Sequence, residues 1–393
     1  MSSNAPVEQP ITAVPFLALG GLFEADDVAA ANKVVQAASL DGGNFFPLPE
    51  EKQFQDALAA HEGSTHAISV NSCGTALDLC MMALGIKPGD EVITTPLTFV
   101  CTATCAAAQG AKVVFADVDP QTLCLSPEAT RKKITSRTKA IIPVHFTGLS
   151  ADIGAFDAIS RETGVPVIYD AAHAVGTRYK GNPIGAAGKA SCYSFQSNKN
   201  ITTLGEGGAI TSNDPAFAEL VRQKKTFGYV YGGPKLRVVT VGFNYRMTKP
   251  QLAVGITQIA KAQRVIARKL QNMQTMQRLL QSVPELILPV GVEPGHGAHL
   301  YVVRVNSQKT SITRDALAAH LKSSYAVGTA IHYPAVWDWE AMKEVDFDRT
   351  NCEVADRACR EVLTLPVFAQ STEAQMRYVA ESLKKSLAEL CVA

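Results

Sequence analysis

From residue 66 to about residue 212 the chain alternates short β-rich runs with helical stretches, and this alternation narrows the fold more than any other feature. The strand candidates are residues 67–70, 91–94, 112–115, 140–144 and 166–169, all rich in Val and Ile. Helix candidates between them start near Gly74, Thr98 and Ala151. A succession of β–α units predicts a mostly parallel sheet covered by helices on both faces. Such a sheet binds ligands outside the carboxyl ends of its strands, so the residues just after a strand carry the functional interest.

After Pro250 the pattern changes. Residues 250–283 read as one long helix, followed by short strands around residues 300–305 and helices near 312–322, 351–360 and 372–389. This predicts a flexible polar tail over 1–12, a large domain over 13–260 and a smaller α+β domain over 261–393. No Gly/Ser linker parts the two domains, so they are expected to pack together.

Charge excludes some partners. With 37 basic and 36 acidic residues the net charge is +1, which gives no electrostatic footprint for nucleic acid or an anionic membrane. An apolar share of 47% and a charged share of 19% are those of a folded protein, not a disordered one. The nine cysteines include no C-x-x-C pair and sit mostly among apolar or small residues, as reduced buried thiols do. The apolar stretch from Ile11 to Phe23 has no basic residue before it, Lys33 being the first, and Pro15 interrupts it. It is read as neither signal peptide nor membrane span, and the protein is expected in the cytoplasm.

Three segments carry candidate chemistry. Asn71-Ser72-Cys73-Gly74-Thr75-Ala76 follows a strand and opens a helix. Free amides at a helix start suit a phosphate, and Gly74 permits close approach, though an ordinary helix N-terminus looks the same. Asp170 ends the run Val165-Pro166-Val167-Ile168-Tyr169 and precedes Ala171-Ala172-His173. It is either a carboxylate facing a ligand or a helix cap. Lys199 lies between Ser194-Phe195 and Gly205-Glu206-Gly207-Gly208, on a strand–loop–strand path. It is either a solvated surface residue or the amine of a ligand site.

In this order the segments resemble the DegT–StrS (DegT/DnrJ/StrS) family of pyridoxal 5'-phosphate (PLP) aminotransferases, best known for amino-sugar biosynthesis. The likeness runs from about Phe16 to about Leu390. It is most specific in Tyr169-Asp170-Ala171-Ala172-His173-Ala174, Ser194-Phe195 and Lys199, with Lys199 following Asp170 by 29 positions. Thr98-Phe99, Pro143-Val144-His145 with Gly148, and Asn244-Tyr245-Arg246-Met247 also fall in family order. The resemblance implies the α/β fold of type I PLP-dependent transferases, which is aspartate-aminotransferase-like.

A PLP enzyme needs a lysine amine for the Schiff base and a carboxylate that keeps the ring nitrogen protonated. It also needs amides for the phosphate and a flat group over the ring. The resemblance implies that Lys199 forms the Schiff base, Asp170 pairs with the pyridinium nitrogen and His173 lies beside the ring's 3-oxygen. It further implies that Phe99 stacks on the ring and that Gly74, Thr75 and Ser194 bind the phosphate. In the family, the residue matched by Asn244 reaches the phosphate of the neighbouring subunit, which implies a homodimer. A plain turn before the long helix is the other reading of Asn244.

Two departures from the family concern the substrate. Glu206 is seven residues after Lys199, where the family usually has six, so Leu204 reads as an inserted residue or a bulge. Trp337 stands five residues after His332, where the family usually has a second histidine. It is either a core residue or a ligand platform. The expected reaction is amino transfer from L-glutamate or L-glutamine to a keto-sugar nucleotide or a keto-cyclitol. A PLP-dependent sugar dehydratase and a non-catalytic PLP-binding regulatory protein are the rivals. The dehydratase branch of the family has histidine in place of the lysine.

Overall fold

The computed structural model describes residues 11–46, 49–230 and 235–392; most of the expected tail lies outside them. Two helices, α1 (Ala25–Leu40) and α2 (Glu50–Glu62), precede the alternating region. Then follow β1 (His66–Val70), α3 (Cys73–Leu84), β2 (Glu91–Thr94), α4 (Cys101–Ala107), β3 (Lys112–Phe115), α5 (Pro127–Lys133), β4 (Thr138–Ile142) and α6 (Ile153–Thr163). The series closes with β5 (Ile168–Asp170), β6 (Ala190–Ser194), β7 (Gly208–Ser212), α7 (Pro215–Lys225) and the long α8 (Lys249–Leu280).

Local chemistry sets these boundaries. Ser72, Asp152 and Asp214 cap α3, α6 and α7 by accepting backbone N–H groups of the first turn, and Pro215 starts α7. Gly85 and Gly164 end α3 and α6 in the left-handed conformation. Every residue of β2, β5, β6 and β7 is buried, as expected of strands covered on both faces.

Beyond α8 come β8 (Leu286–Ile287), β9 (Tyr301–Val305), α9 (Arg314–Tyr325), β10 (Phe347–Asp348), α10 (Glu353–Glu361), β11 (Val362–Leu365) and α11 (Glu373–Val392). The large sheet runs β1-β7-β6-β5 and, through the parallel bridges Ile141↔Val167 and Val144↔Asp170, continues as β4-β2-β3-β10. Only β7 is antiparallel to its neighbours in this sheet. A smaller antiparallel sheet, β8-β9-β11, packs with α9 and α11.

A division at residue 260 falls inside α8. Leu252, Ile259 and Ala262 belong to the large core, while Met273, Met276 and Leu280 belong to the small one. The helix is therefore a shared beam between the two parts. The N-terminal segment adds a second tie: Val14 pairs with Val327, and the Gly20 N–H donates to the Ser197 carbonyl at 3.1 Å. Among the described residues no helix is long and apolar enough to cross a membrane.

Candidate active site

Asp170 and Ser194 end the parallel neighbours β5 and β6, with Asp170 opposite Cys192. The chain then turns through residues 195–207 and returns as antiparallel β7. Lys199 sits in that turn. Gly74, Phe99, Asp170, His173, Ser194 and Lys199 line one cavity of about 440 Å³ at the carboxyl ends of the strands.

The Asp170 carboxylate is held from several sides. Its Oδ2 accepts the Thr102 hydroxyl at 2.7 Å, and its Oδ1 accepts the Ala172 N–H at 3.0 Å. Burial raises its pKa, while these donors and the nearby Lys199 amine pull it down. Burial likewise holds the Lys199 ammonium below its ordinary range, against the opposing pull of Asp170. Among the described residues the Lys199 amine has no hydrogen-bond or ion-pair partner.

His173 is fixed in one tautomer. Its Nδ1 accepts the Thr147 N–H at 3.3 Å, so the neutral ring carries its proton on Nε2. That N–H faces the Tyr333 hydroxyl at 3.0 Å. Burial pushes the imidazole well below its ordinary pKa, with the nearby Lys199 amine adding to the effect, which keeps it neutral. The exposed Phe99 ring meets Tyr333 edge-on at 6.0 Å on the cavity wall.

These residues fit PLP. Gly74 lies in the first turn of α3, where a Cβ would meet only Ser72 Oγ at 3.7 Å and Cys101 Cβ at 3.8 Å, ordinary contacts. The protein's own packing does not require glycine there, and the bare face borders the cavity. The donor set supplies one unpaired amine, one buried carboxylate and one helix start, as that cofactor requires.

The aminotransferase family model described as DegT/DnrJ/EryC1/StrS matches residues 25–384. The chain belongs to this family. It is 36% identical over 362 residues to the spore coat polysaccharide biosynthesis protein SpsC of Bacillus subtilis (strain 168), covering 88% of this chain and 92% of that protein. The structure of S. venezuelae DesV matches with a TM-score of 0.83 and 32% identity, over 92% of this chain and 94% of that one. The aminotransferase TlmJ from Streptoalloteichus hindustanus matches with a TM-score of 0.86 and 28% identity, over 96% and 100%. This chain is a PLP-dependent aminotransferase of fold type I.

Not every residue matched to the DegT pattern lies on the cavity wall of this chain. The Thr75 hydroxyl donates to Asn71 Oδ1 at 2.6 Å and to the Ser72 carbonyl at 2.9 Å, while its N–H is capped by Ser72 Oγ. Asn244 is exposed in a segment bridged to Thr226, away from the cavity. Leu204 adopts φ 61°, a left-handed turn with its side chain exposed, and Glu206 lines the cavity. Trp337 packs edge-on against Phe115 at 5.5 Å and under the Arg349 guanidinium, apart from the cavity lining. It is half-buried against the large sheet, not in the core of the small domain where a core reading would put it.

Several aminotransferase site residues have no clear sequence signal. Thr102 supports Asp170 and also bonds Thr98 at 2.8 Å, one helical turn earlier. Tyr333 comes from the second half of the chain. Gly20 and Gly21 let the N-terminal segment run against the Lys199 turn, since a Cβ on either would overlap the Asn198 or Asn200 carbonyl.

Proposed function

We propose that this enzyme moves the amino group of L-glutamate or L-glutamine to a keto-sugar nucleotide or related keto-cyclitol, in two half-reactions of a ping-pong cycle. The observation that carries the reading is the pairing of an unpartnered Lys199 amine with the buried Asp170 carboxylate on one cavity. The relative SpsC is a spore coat polysaccharide biosynthesis protein, which supports a sugar as acceptor.

Bound PLP supplies an electron sink for the pair left at the donor's Cα. Asp170 holds a proton on the facing ring nitrogen, because its negative charge stabilises the N–H⁺ form. Lys199 would hold the cofactor covalently through its amine in the resting enzyme. Once displaced by the donor amine it is a free base, and burial disfavours its charged form. It would take the proton from the donor's Cα and hand it back within the site, acting as base and then acid. His173, held with Nε2–H outward, faces the 3-oxygen side, and Phe99 covers the ring. Gly74, Thr75 and Ser194 hold the phosphate together with Asn244 of the partner subunit, in a cytoplasmic homodimer. The large domain of 13–260 carries most of the site, and the smaller one of 261–393 adds His332 and Tyr333 to its wall. A lysine at position 199, where the dehydratase branch has histidine, supports transfer over dehydration.

The test is to load the enzyme with pyridoxamine phosphate and add candidate acceptors. A keto-sugar nucleotide or keto-cyclitol should restore the visible absorbance within turnovers. If 2-oxoglutarate restores it and no carbohydrate ketone does, the acceptor class is wrong.

A further inference from the structure

Behind the cavity wall lies a buried lysine whose hydrogen bonds go only to neutral acceptors. Lys269, on the second half of α8, donates from Nζ to Asn200 Oδ1 and to the His299 carbonyl, both at 2.8 Å. Asn200 directly follows Lys199, and its Nδ2 donates in turn to the Gly297 carbonyl at 2.5 Å. The His299 ring stands 4.4 Å from the His173 ring. One amine therefore ties the turn that carries Lys199 to the segment whose imidazole backs His173.

The surrounding helix face shows how unusual this is. Val265, Ile266, Met273 and Met276, within one or two turns of Lys269 on α8, are buried and apolar. Burying an amine with no carboxylate opposes folding, and an apolar side chain would pack with these neighbours. The amine stands where the helix passes the Lys199 turn.

We propose that Lys269 is a positioning residue of the transamination: it fixes the Lys199 turn against the His299 segment and so sets where the Lys199 amine stands in the cavity. The inference rests on Lys199 as the reacting lysine. Charge adds to geometry. Asp170, Cys73 and Cys101 face Lys199 from the ends of β5, α3 and α4. His173, His299, His332 and Lys269 also lie within electrostatic reach of it. His296 also faces Lys269. Burial first, and Lys199 second, push the Lys269 amine down to about 7. In its charged form Lys269 opposes proton uptake by Lys199.

The test uses the PLP-loaded enzyme, its Lys269→Met variant and an Asn200→Ser variant, which cuts the same tie without touching the helix core. Borohydride reduction and peptide mapping come first. A label on Lys199 keeps the underlying reading, whereas a label on another lysine removes both that reading and this inference. With Lys199 labelled, Lys269→Met should lower kcat by about 10²-fold with little change in donor KM, as a small misplacement of a reacting group does. Asn200→Ser should lower kcat in the same way, and the double variant should fall no further than the worse single one. A merely structural lysine would lower melting temperature while leaving kcat per labelled site unchanged. That result in Lys269→Met, or an unchanged kcat in Asn200→Ser should Lys269→Met not fold, overturns the proposal.

Discussion

Thr102 stands directly behind Asp170, its hydroxyl donating to Oδ2 at 2.7 Å. A hydroxyl donated to a carboxylate favours the ionised form, which is the form that can hold a proton on the opposing ring nitrogen. Thr102→Val keeps the shape and removes one bond to a charged group, a change of about 1.5–3 kcal/mol. We expect kcat to fall about tenfold or more by the usual conversion. Asp170→Asn removes the charge itself and should cost on the order of 10²-fold or more. Stopped-flow rates of the glutamate half-reaction check both. An Asp170→Asn enzyme running at the parental rate would make Asp170 a cap and nothing more.

Gly74→Ala separates folding from phosphate binding. The added methyl has room among the protein's own atoms, and alanine is favoured over glycine in a helix by roughly 0.5–1 kcal/mol. The apo chain should melt no lower than the parent, while PLP binds at least about tenfold more weakly, a loss of about 1.4 kcal/mol. Titration calorimetry with PLP and a thermal melt of the apo protein read the two effects. Gly208→Ala is the contrast: its Cβ would overlap the backbone of Ser72, so that variant should lose stability instead.

Acid should unfold the protein partly through its buried histidines. His145 is held down to about 3 by burial, and its Nδ1 accepts the Ala151 N–H at 3.0 Å. A histidine neutral in the fold but free to take a proton near pH 6.5 when unfolded adds no pH dependence above 6.5. Below that the unfolded state gains protons that the fold refuses, so stability is lost as pH falls from 6.5 toward 3. His296 and His332, each held near 4 with burial the first cause, act in the same sense. His145→Asn retains an acceptor for Ala151 and should reduce the slope of unfolding free energy by about 1.4 kcal/mol per pH unit between about pH 6 and 5. Urea melts across that range measure it; an unchanged slope would mean that His145 takes up its proton in the fold.

Asn244 is exposed and does not line its own chain's cavity, and its proposed role is toward a second copy. Lys199→Ala and Asn244→Asp subunits should each be impaired alone, the second because an added negative charge repels the phosphate. After subunit exchange, confirmed by mass, one site of each mixed dimer combines both lesions and the other has neither, so activity should return. If exchange occurs and no activity returns, Asn244 acts within its own subunit.

The strands were legible because each is a short apolar run bounded by turns: residues 67–70 predict β1 at 66–70, and residues 91–94 and 112–115 coincide with β2 and β3. Asp170 was legible as a candidate because it ends a strand, but the roles of Asp170, Ser194 and Lys199 were legible only through the resemblance to the DegT–StrS family. Thr102, Tyr333 and Lys269 were not. Tyr333 meets His173 across 160 positions of chain, and Lys269 looks in sequence like one more polar position on a long helix. Their roles depend on which surfaces the fold brings together. The Gly20 requirement is of the same kind, set by the Asn198 carbonyl pressed against it.

The antiparallel strand β7 has a consequence for the order of events during synthesis. β1 is an edge strand whose only sheet neighbour is β7, through the pairs His66↔Ser212 to Val70↔Gly208. The Asn71–Thr75 turn hangs from the end of β1, and its Asn71 N–H also donates to the Tyr245 carbonyl at 3.0 Å, so its two outside supports are made only after residue 207 and residue 245 have left the ribosome. The lysine turn closes with the same strand, because β7 also seals β6. The two turns proposed to hold the cofactor thus flank one late strand, and a nascent chain that stops short of β7 lacks the pairing common to both.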